Sequence, residues 1–218
     1  MEEVLMRLRD GEIEAAGWHV EKLSAVLMTL LSDIPGSGGR PALVAIDGRG
    51  GAGKTTIVHR LQELVPNSDV VHTDDIAWNY ACFDWGKVTI EDVLHPLRQG
   101  EAVSFTPESW QEHGRSGAIT VPAGLDVVWI EGTGIIRREF DGLIAASIWI
   151  QGDRDEQERR LAVRDGDSAD QRRQVAEWLD EELPFMLREQ PWSRATVTVA
   201  GDDPLDHDPK NEIVVASN

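Results

Sequence analysis

Short apolar runs bounded by turn-forming residues recur along the chain, and they predict buried β-strands. Valine, isoleucine and tryptophan dominate these runs, and the stretches between them show helical periodicity. The five predicted strands cover residues 42–47, 68–73, 125–132, 146–152 and 195–201. Strands that alternate with helices indicate βαβ units, so we expect an α/β fold of three layers with a mainly parallel, five-stranded sheet.

Apolar residues at intervals of three and four predict the helices. The helical segments cover residues 12–33, 55–64, 90–98, 153–166 and 168–190, with a short helix near residues 135–140 and a bend at Pro184. Residues 74–88 lack a clear period, and residues 100–122 predict a small β excursion or a loop. The last residues are acidic and end in "IVVA", which is typical of an edge strand or a mobile terminus.

The charge balance is strongly acidic, with 39 acidic and 21 basic residues and a net charge of −18. A protein that binds a nucleic acid needs a basic surface, so we expect no nucleic-acid partner. An anionic ligand would need a local site that acts against the repulsive field of the whole chain. Acidity also favours solubility, and that alternative explains the charge equally well.

The remaining bulk features favour a soluble, cytoplasmic protein. The single cysteine, Cys82, excludes an internal disulfide bond, the first residues do not resemble a signal peptide, and no apolar run is long enough to cross a membrane. We therefore expect no membrane partner. A homo-oligomer remains an open alternative.

The stretch "GRGGAGKT" matches the phosphate-binding pattern G-x-x-x-x-G-K-S/T, and it lies between a predicted strand and a predicted helix. In such a loop the glycines allow backbone N–H groups to surround a phosphate, and the helix N-terminus adds a positive dipole. Lys54 should reach the β- and γ-phosphates, and the Thr55 hydroxyl should bind Mg²⁺. The predicted nucleotide-binding residues are Gly48, Arg49, Gly50, Gly51, Ala52, Gly53, Lys54, Thr55 and Thr56.

Carboxylates follow two of the predicted strands: Asp74 and Asp75 come after the second, and Glu131 ends the third. Ligands bind at the carboxyl ends of the strands in open α/β sheets. This arrangement is typical of a small-molecule kinase, in which one carboxylate accepts the hydroxyl proton and another helps to hold Mg²⁺. The N-K-x-D motif with which GTPases bind guanine is absent.

Four stretches carry a family resemblance: "GRGGAGKTT", "VVHTDDIAW", "VVWIEGTG" and "RRLAVRD", in this order. Together with the late "WLDEE" helix, they resemble the uridine kinase-like branch of the P-loop nucleoside and small-molecule kinases. The resemblance covers about residues 42–200. It implies the P-loop NTPase fold, with ATP and Mg²⁺ as cofactors and a small-molecule acceptor.

By position, the resemblance implies that Asp74 is the general base and that Glu131, with Thr55, holds the metal. It places Arg160 and Arg164 on a lid over about residues 153–167, where with Lys54 they stabilise the transferring phosphoryl group. Each role has a structural alternative. Asp74 could cap a helix, Glu131 could merely end a strand, and the arginines could form a solvated face paired with Glu156 and Asp165.

The sequence departs from the family in the acceptor region, about residues 74–122. Uridine kinases hold the base and ribose with a Tyr-Asp-Phe-like segment followed by His and Arg, whereas this chain has "ESW" followed by His113 and Arg115. Uridine itself is therefore not the expected acceptor. The predicted acceptor-binding residues are Asp74, Trp78, Tyr80, Trp110, His113 and Arg115, and the aromatic residues could equally be packing.

These observations divide the chain into an N-terminal helix and linker (1–41), a kinase domain (42–200) and an acidic tail (201–218). The favoured function is transfer of the γ-phosphoryl group of ATP to a hydroxyl of a nucleoside-like or other small acceptor. Two alternatives stay open: an ATP-binding regulatory module without catalysis, and a nucleoside monophosphate kinase. The latter would need Arg98 and Arg115 near a second phosphate.

Overall fold

The computed structural model of the chain describes residues 6–32, 39–81, 83–202 and 204–217. Cys82 and part of the loop predicted before the first parallel strand lie outside these residues. The strands are β1 (His19–Lys22), β2 (Ala42–Gly48), β3 (Ser68–His72), β4 (Val103–Phe105), β5 (Ile119–Val121), β6 (Val127–Glu131), β7 (Ala146–Gln151), β8 (Val197–Ala200) and β9 (Glu212–Val215).

The helices are α1 (Leu23–Leu31), α2 (Lys54–Leu64), α3 (Thr73–Ala77), α4 (Gly86–Thr89), α5 (His95–Gln99), α6 (Glu108–Glu112), α7 (Arg154–Asp165) and α8 (Ala169–Glu189). A π-helical turn (Ile90–Leu94) joins α4 to α5, and 3₁₀ turns occur at Arg138–Phe140 and Pro191–Ser193. Pro184 lies inside α8, and the predicted bend there stays a prediction.

The central sheet has seven strands in the order β1-β9-β8-β7-β2-β6-β3, so the prediction of five strands is wrong. The five predicted runs are its parallel strands, β3, β6, β2, β7 and β8. Strands β9 and β1 extend it with antiparallel pairing. Because β9 lies between β8 and β1, the "IVVA" stretch is an inner strand and not an edge strand.

Apolar side chains cover both faces of the sheet, which gives the predicted three layers. One core packs α1 and α2 against Val44, Ile46 and Trp129. The other packs α8 and the helices of residues 86–99 against Ala45 and Ile130. Strand β2 is buried along its whole length because its alternate residues enter opposite cores. Strands β4 and β5 form a separate two-stranded antiparallel sheet with α6 between them in the chain, and this is the small β excursion predicted in residues 100–122.

The helix predicted over residues 12–33 is wrong in its first half, since α1 begins only at Leu23. Residues 12–15 are fixed by tertiary contacts instead, with Glu12 accepting from Arg49 and the Ala15 N–H donating to Gln151. Residues 19–22 then pair with β9. Tertiary pairing therefore overrides the helical period of the sequence. The division of the chain at residues 41 and 200 stays a prediction, and each flanking segment supplies one strand.

The burial of Ile213 in β9 predicts that its truncation lowers the stability of the protein. Ile213 is 3% exposed in the core beside α1 and α2. We expect Ile213→Ala to lower the free energy of unfolding by roughly 2 to 4 kcal/mol, because it removes buried methylenes and leaves a cavity. Ile13, which is 62% exposed, supplies the control variant Ile13→Ala. Equal urea midpoints for the two variants would contradict the assignment of β9 to the core.

Candidate active site

The phosphate-binding turn joins the end of β2 to the start of α2, as the sequence predicts. Gly53 has φ +96° with open space where a Cβ would stand, and Gly51 has φ +77°. A Cβ on Gly51 would lie 2.5 Å from the carbonyl oxygen of Gln157, so α7 approaches the turn closely. Both positions favour glycine, and the N-terminus of the eleven-residue helix α2 faces the same turn.

Lys54 is held over the turn by three oxygen atoms. Its Nζ donates to the carbonyl oxygens of Gly48 at 2.8 Å and Arg49 at 3.1 Å, and to Thr133 Oγ1 at 3.1 Å. The Thr133 hydroxyl in turn donates to Gly48 O at 3.0 Å. The ammonium group therefore lies at the carboxyl end of the parallel strands, the edge at which ligands bind in such sheets.

Glu131 occupies the same edge because the register of β6 places it beside Ile46 of β2 and His72 of β3. Its Oε1 accepts from His72 Nδ1 at 2.7 Å and from Thr55 Oγ1 at 3.4 Å. Burial raises the pKa of the Glu131 carboxyl, but His72, Lys54 and Thr55 outweigh it and the net pKa is lowered. The hydrogen bond to Glu131 is also the largest cause of the raised pKa of His72.

A second carboxylate, Asp47, is fully buried at the end of β2. It accepts backbone N–H bonds from Gly48 at 2.7 Å, Gly134 at 2.9 Å and Ile136 at 2.8 Å. Burial is the largest influence and raises the pKa of Asp47 to about 6, against the opposing hydrogen bonds and Lys54. Asp47 thus ties the turn after β6 to the phosphate-binding turn.

The side chain of Arg49 is buried and points into an ion-pair cluster. Its Nε donates to Glu12 Oε2 at 2.9 Å and its Nη1 to Glu182 Oε1 at 3.0 Å. Trp178 Nε1 donates to Glu182 at 2.8 Å, and Gln151 Nε2 donates to Glu12 at 3.1 Å. Because these carboxylates bind the guanidinium, Arg49 can serve a phosphate only through its backbone. The "WLDEE" segment therefore anchors the turn.

Asp74 and Asp75 lie in the first turn of α3, just beyond β3. Asp74 is exposed, whereas Asp75 forms an ion pair with Arg115. The Arg115 guanidinium stacks 3.6 Å from the ring centroid of Trp110 and lies 5.3 Å from that of Trp78. Three of the predicted acceptor-binding residues, Trp78, Trp110 and Arg115, therefore meet here, and Asp74 precedes their partner Asp75 in the chain.

His113 and Tyr80, which are also predicted to bind the acceptor, lie beside this cluster. His113 makes an edge contact with Trp78 at 5.9 Å between centroids, and its Nδ1 donates to Ser109 O. Burial raises the pKa of Tyr80, and the nearby charges of Glu108 and Glu112 raise it further. Trp110 is only 4% exposed and donates to the backbone of Asp75, so packing is its observed role.

Arg160 of the predicted lid contacts the phosphate-binding turn. Its Nη1 donates to Gly51 O at 3.2 Å and Gly201 O at 2.9 Å, and its Nη2 lies 2.9 Å from Asp202 Oδ1. A cavity of about 220 Å³ opens beside it between α2 and the segment after β8. This cavity adjoins the phosphate-binding turn. Its lining includes Gly53, Thr56, Arg160, Gly201, Asp202 and His207.

Arg164 and Arg159 lie on a solvated face of α7, which is the structural alternative given for the lid arginines. Arg164 pairs with its neighbour Asp165 at 2.7 Å and is 69% exposed, and Arg159 pairs with Glu156. The pKa of Arg164 is raised first by Asp165, with a further contribution from Asp74. Asp165 is therefore the main partner of Arg164, and the side chains of both Arg164 and Arg159 are largely exposed to solvent.

Sequence reasoning missed Thr133, Asp47 and the cavity wall formed by Gly201, Asp202 and His207. The wall could have been anticipated, because the residues after the fifth parallel strand lie at the same edge as the phosphate-binding turn. For Thr133 and Asp47 no local pattern gives a signal, since their partners come from distant strands. Among the described residues no cluster of three or more acidic, histidine or cysteine side chains forms a metal site.

A scan of protein-family models finds no match to this chain, and a search of curated proteins finds none either. Solved structures do match. D-glycerate 3-kinase from Cryptococcus neoformans has a TM-score of 0.56 at 13% identity, covering 82% of this chain and 93% of that one. A possible uridine kinase from Bacillus stearothermophilus has a TM-score of 0.54 at 16% identity, covering 81% and 96%.

A candidate fructose transport system kinase from Silicibacter sp. TM1040 has a TM-score of 0.50 at 20% identity, covering 80% of this chain and 92% of that one. The chain has the fold of these kinases. This shared fold agrees with the family resemblance of the sequence. Lys54 and Glu131 lie at the carboxyl edge of its sheet. In the described part of the chain, no helix is both long and apolar enough to cross a bilayer.

The raised pKa of Asp47 predicts a pH-dependent stability. Between pH 4 and 6 the folded state binds more protons at Asp47 than the unfolded state, so the free energy of unfolding falls as the pH rises. Relative to Asp47→Asn, we expect the wild type to lose about 1 kcal/mol between pH 5 and pH 7. Urea unfolding at several pH values measures the difference.

The control for this comparison is Asp180→Asn, which changes an exposed carboxylate of α8. Its pH dependence should run parallel to that of the wild type. If the Asp47→Asn variant also runs parallel to the wild type, Asp47 ionises with the same pKa in both states and the buried-carboxylate account is wrong.

Proposed function

We propose that this chain is a kinase that transfers the γ-phosphoryl group of ATP to a hydroxyl group of a small molecule. The observation that carries the proposal is the meeting of Lys54, Thr55 and Glu131 at the carboxyl end of the parallel strands. Asp74 follows the neighbouring strand β3, so a carboxylate that can accept a proton stands near that edge. The kinase fold of the solved structures supports the same reading.

In this proposal the nucleotide phosphates bind to backbone N–H groups of residues 48–56, and Lys54 exchanges carbonyl oxygens for β- and γ-phosphate oxygens. The base occupies the cavity beside Arg160 and Asp202, whose volume is about 220 Å³. Arg160 donates to Gly51 O in the phosphate-binding turn and to Gly201 O in the opposite wall of the cavity. These two bonds hold the cavity next to the turn.

The residues present fit a magnesium ion bound together with phosphates. Thr55 and Glu131 place a hydroxyl and a carboxylate oxygen 3.4 Å apart, and oxygen donors are what Mg²⁺ prefers. Kinases use one or two protein ligands for this ion and complete its shell with phosphates and water. The ion would neutralise charge on the transferring group, and His72 would keep the carboxylate of Glu131 oriented.

The acceptor lies between α3 and the 104–115 segment, with Trp78, Tyr80, His113 and Arg115 along its wall. Asp74 accepts the hydroxyl proton as the acceptor oxygen attacks the γ-phosphorus atom. Lys54, Arg160 and Arg164 stabilise the charge that moves to the bridging oxygen. Uridine is not proposed as the acceptor, because the Tyr-Asp pair of uridine kinases is absent here.

The position of Arg98 argues against the alternative of a nucleoside monophosphate kinase. Its Nη1 donates to Leu143 O, which lies just before the amino end of β7, at the opposite edge of the sheet from the phosphate-binding turn. Arg98 therefore cannot meet an acceptor phosphate in this arrangement. Arg115 alone would have to do so, and it is already paired with Asp75.

A screen by thermal shift, with an ATP analogue and Mg²⁺ present, would first identify an acceptor, because a bound ligand raises the unfolding temperature. With that acceptor, we expect Asp74→Asn to lower kcat by roughly 100-fold or more, the usual contribution of a general base. The dissociation constant for ATP should stay within about twofold. ADP release and product mass measure kcat, and titration with a non-hydrolysable ATP analogue measures the dissociation constant.

The matched control is Asp84→Asn, an exposed carboxylate of the same excursion, which should retain wild-type turnover. Wild-type turnover by Asp74→Asn would remove that residue from its role. Tight ATP binding with no transfer to any nucleoside, sugar, hydroxy acid or vitamin would instead favour the non-catalytic ATP-binding module.

A further inference from the structure

Within the described part of the chain, Thr133 is the residue whose side chain accepts a hydrogen bond from Lys54, and no sequence pattern predicts this contact. Its Oγ1 lies 3.1 Å from Lys54 Nζ and 3.0 Å from Gly48 O. A hydroxyl has one proton, and the ammonium group can only donate. Thr133 therefore donates to the Gly48 carbonyl and accepts from Lys54, and the two bonds are compatible with each other.

The backbone around Thr133 is fixed on both sides by close packing. A Cβ at Gly132, where φ is +151°, would lie 1.7 Å from Thr73 Oγ1, and a Cβ at Gly134, where φ is +87°, would lie 2.7 Å from a ring carbon of Phe83. Asp47 additionally accepts from the Gly134 N–H. The hydroxyl is thus carried by a rigid turn, so it can hold a flexible side chain in place.

The lysine side chain has four rotatable bonds, and its ammonium group loses much freedom when it binds a phosphate. Three acceptors that converge on Lys54 Nζ remove part of that freedom before a nucleotide arrives. The two carbonyl acceptors belong to the phosphate-binding turn itself, whereas Thr133 approaches from β6. Thr133 is therefore the contact that aims the ammonium group towards the carboxyl edge of the neighbouring strand.

We infer that Thr133 is a positioning residue for Lys54, which it holds ready for the β- and γ-phosphates of a nucleotide. The inference rests on the nucleotide-binding part of the proposed function and not on phosphoryl transfer. If Thr133 positions Lys54, removal of its hydroxyl should lower the affinity only for nucleotides that carry a β- or γ-phosphate. A purely structural residue would affect the affinity for all nucleotides alike.

The first test compares Thr133→Val, which keeps the shape and removes the hydroxyl, with Thr133→Ser, which restores it. We expect the valine variant to bind a non-hydrolysable ATP analogue about tenfold more weakly, because Lys54 is then no longer held in position before the phosphates arrive and must lose more freedom on binding. The affinity for AMP, measured by displacement of the same analogue, should not change. The serine variant should recover most of the difference.

The second test needs no ligand and measures the reactivity of Lys54 towards an amine reagent, read by peptide mass. We expect Lys54 to react several-fold faster in Thr133→Val than in the wild type, because one of its three acceptors is gone. Lys87, whose side chain is 82% exposed, serves as the internal reference and should react at an unchanged rate. The serine variant should return Lys54 to the slow rate.

Thr89→Val is the matched control, since Thr89 is buried and its hydroxyl donates to the carbonyl of Trp85 away from the phosphate-binding turn. It should lower the stability without changing the affinity for the ATP analogue. Equal losses for AMP and the analogue in Thr133→Val, or wild-type values in both tests, overturn the inference. If the wild type binds the analogue but transfers no phosphoryl group to any acceptor, the proposed kinase function is wrong. The binding data for Thr133→Val and Thr133→Ser then still decide the inference about Thr133.

Discussion

The register between β2, β6 and β3 is the constraint on which the site depends. Ile46, Glu131 and His72 stand side by side across three parallel strands, so their carboxyl ends meet at one edge. A shift of one residue would turn Glu131 to the other face of the sheet and break its contacts with Thr55 and His72. Two buried cores fix this register, since β2 and β6 are buried along their whole length on both faces.

The second constraint is electrostatic, because a chain of net charge −18 carries several buried carboxylates next to a predicted anion site. Each is compensated locally: Glu131 by His72, Asp47 by three backbone N–H groups, and Glu12 and Glu182 by Arg49. Unpaired buried charges would cost several kcal/mol each. The compensation leaves the N–H groups of the turn and Lys54 as the local positive potential that an anion would meet.

The predictable and unpredictable parts of the structure differ in how far their partners lie along the chain. Strands β2, β6 and β7 can be recognised in the sequence because burial on both faces makes them almost continuously apolar. The glycine turn can be recognised because its residues are contiguous. Strand β1 carries no such signal, since all four of its residues are exposed and its pairing depends on β9. Thr133 and Asp47 likewise acquire their contacts only when β2 and β6 come together. Their placement therefore follows from the fold and not from any local pattern.

Arg160 and Arg164, which the resemblance places on the lid, differ in the free energy needed to break their present contacts. Arg160 binds two backbone carbonyls and the half-buried Asp202, and releasing it would leave these acceptors without a partner. Arg164 pairs only with the adjacent Asp165 at the surface, and exposed pairs of this kind contribute about 0 to 1 kcal/mol. A transferring phosphoryl group could compete for Arg164 at little cost. In the proposed kinase, Arg160 would therefore act from the cavity wall beside the phosphate-binding turn, and Arg164 would be the arginine that moves towards the γ-phosphoryl group.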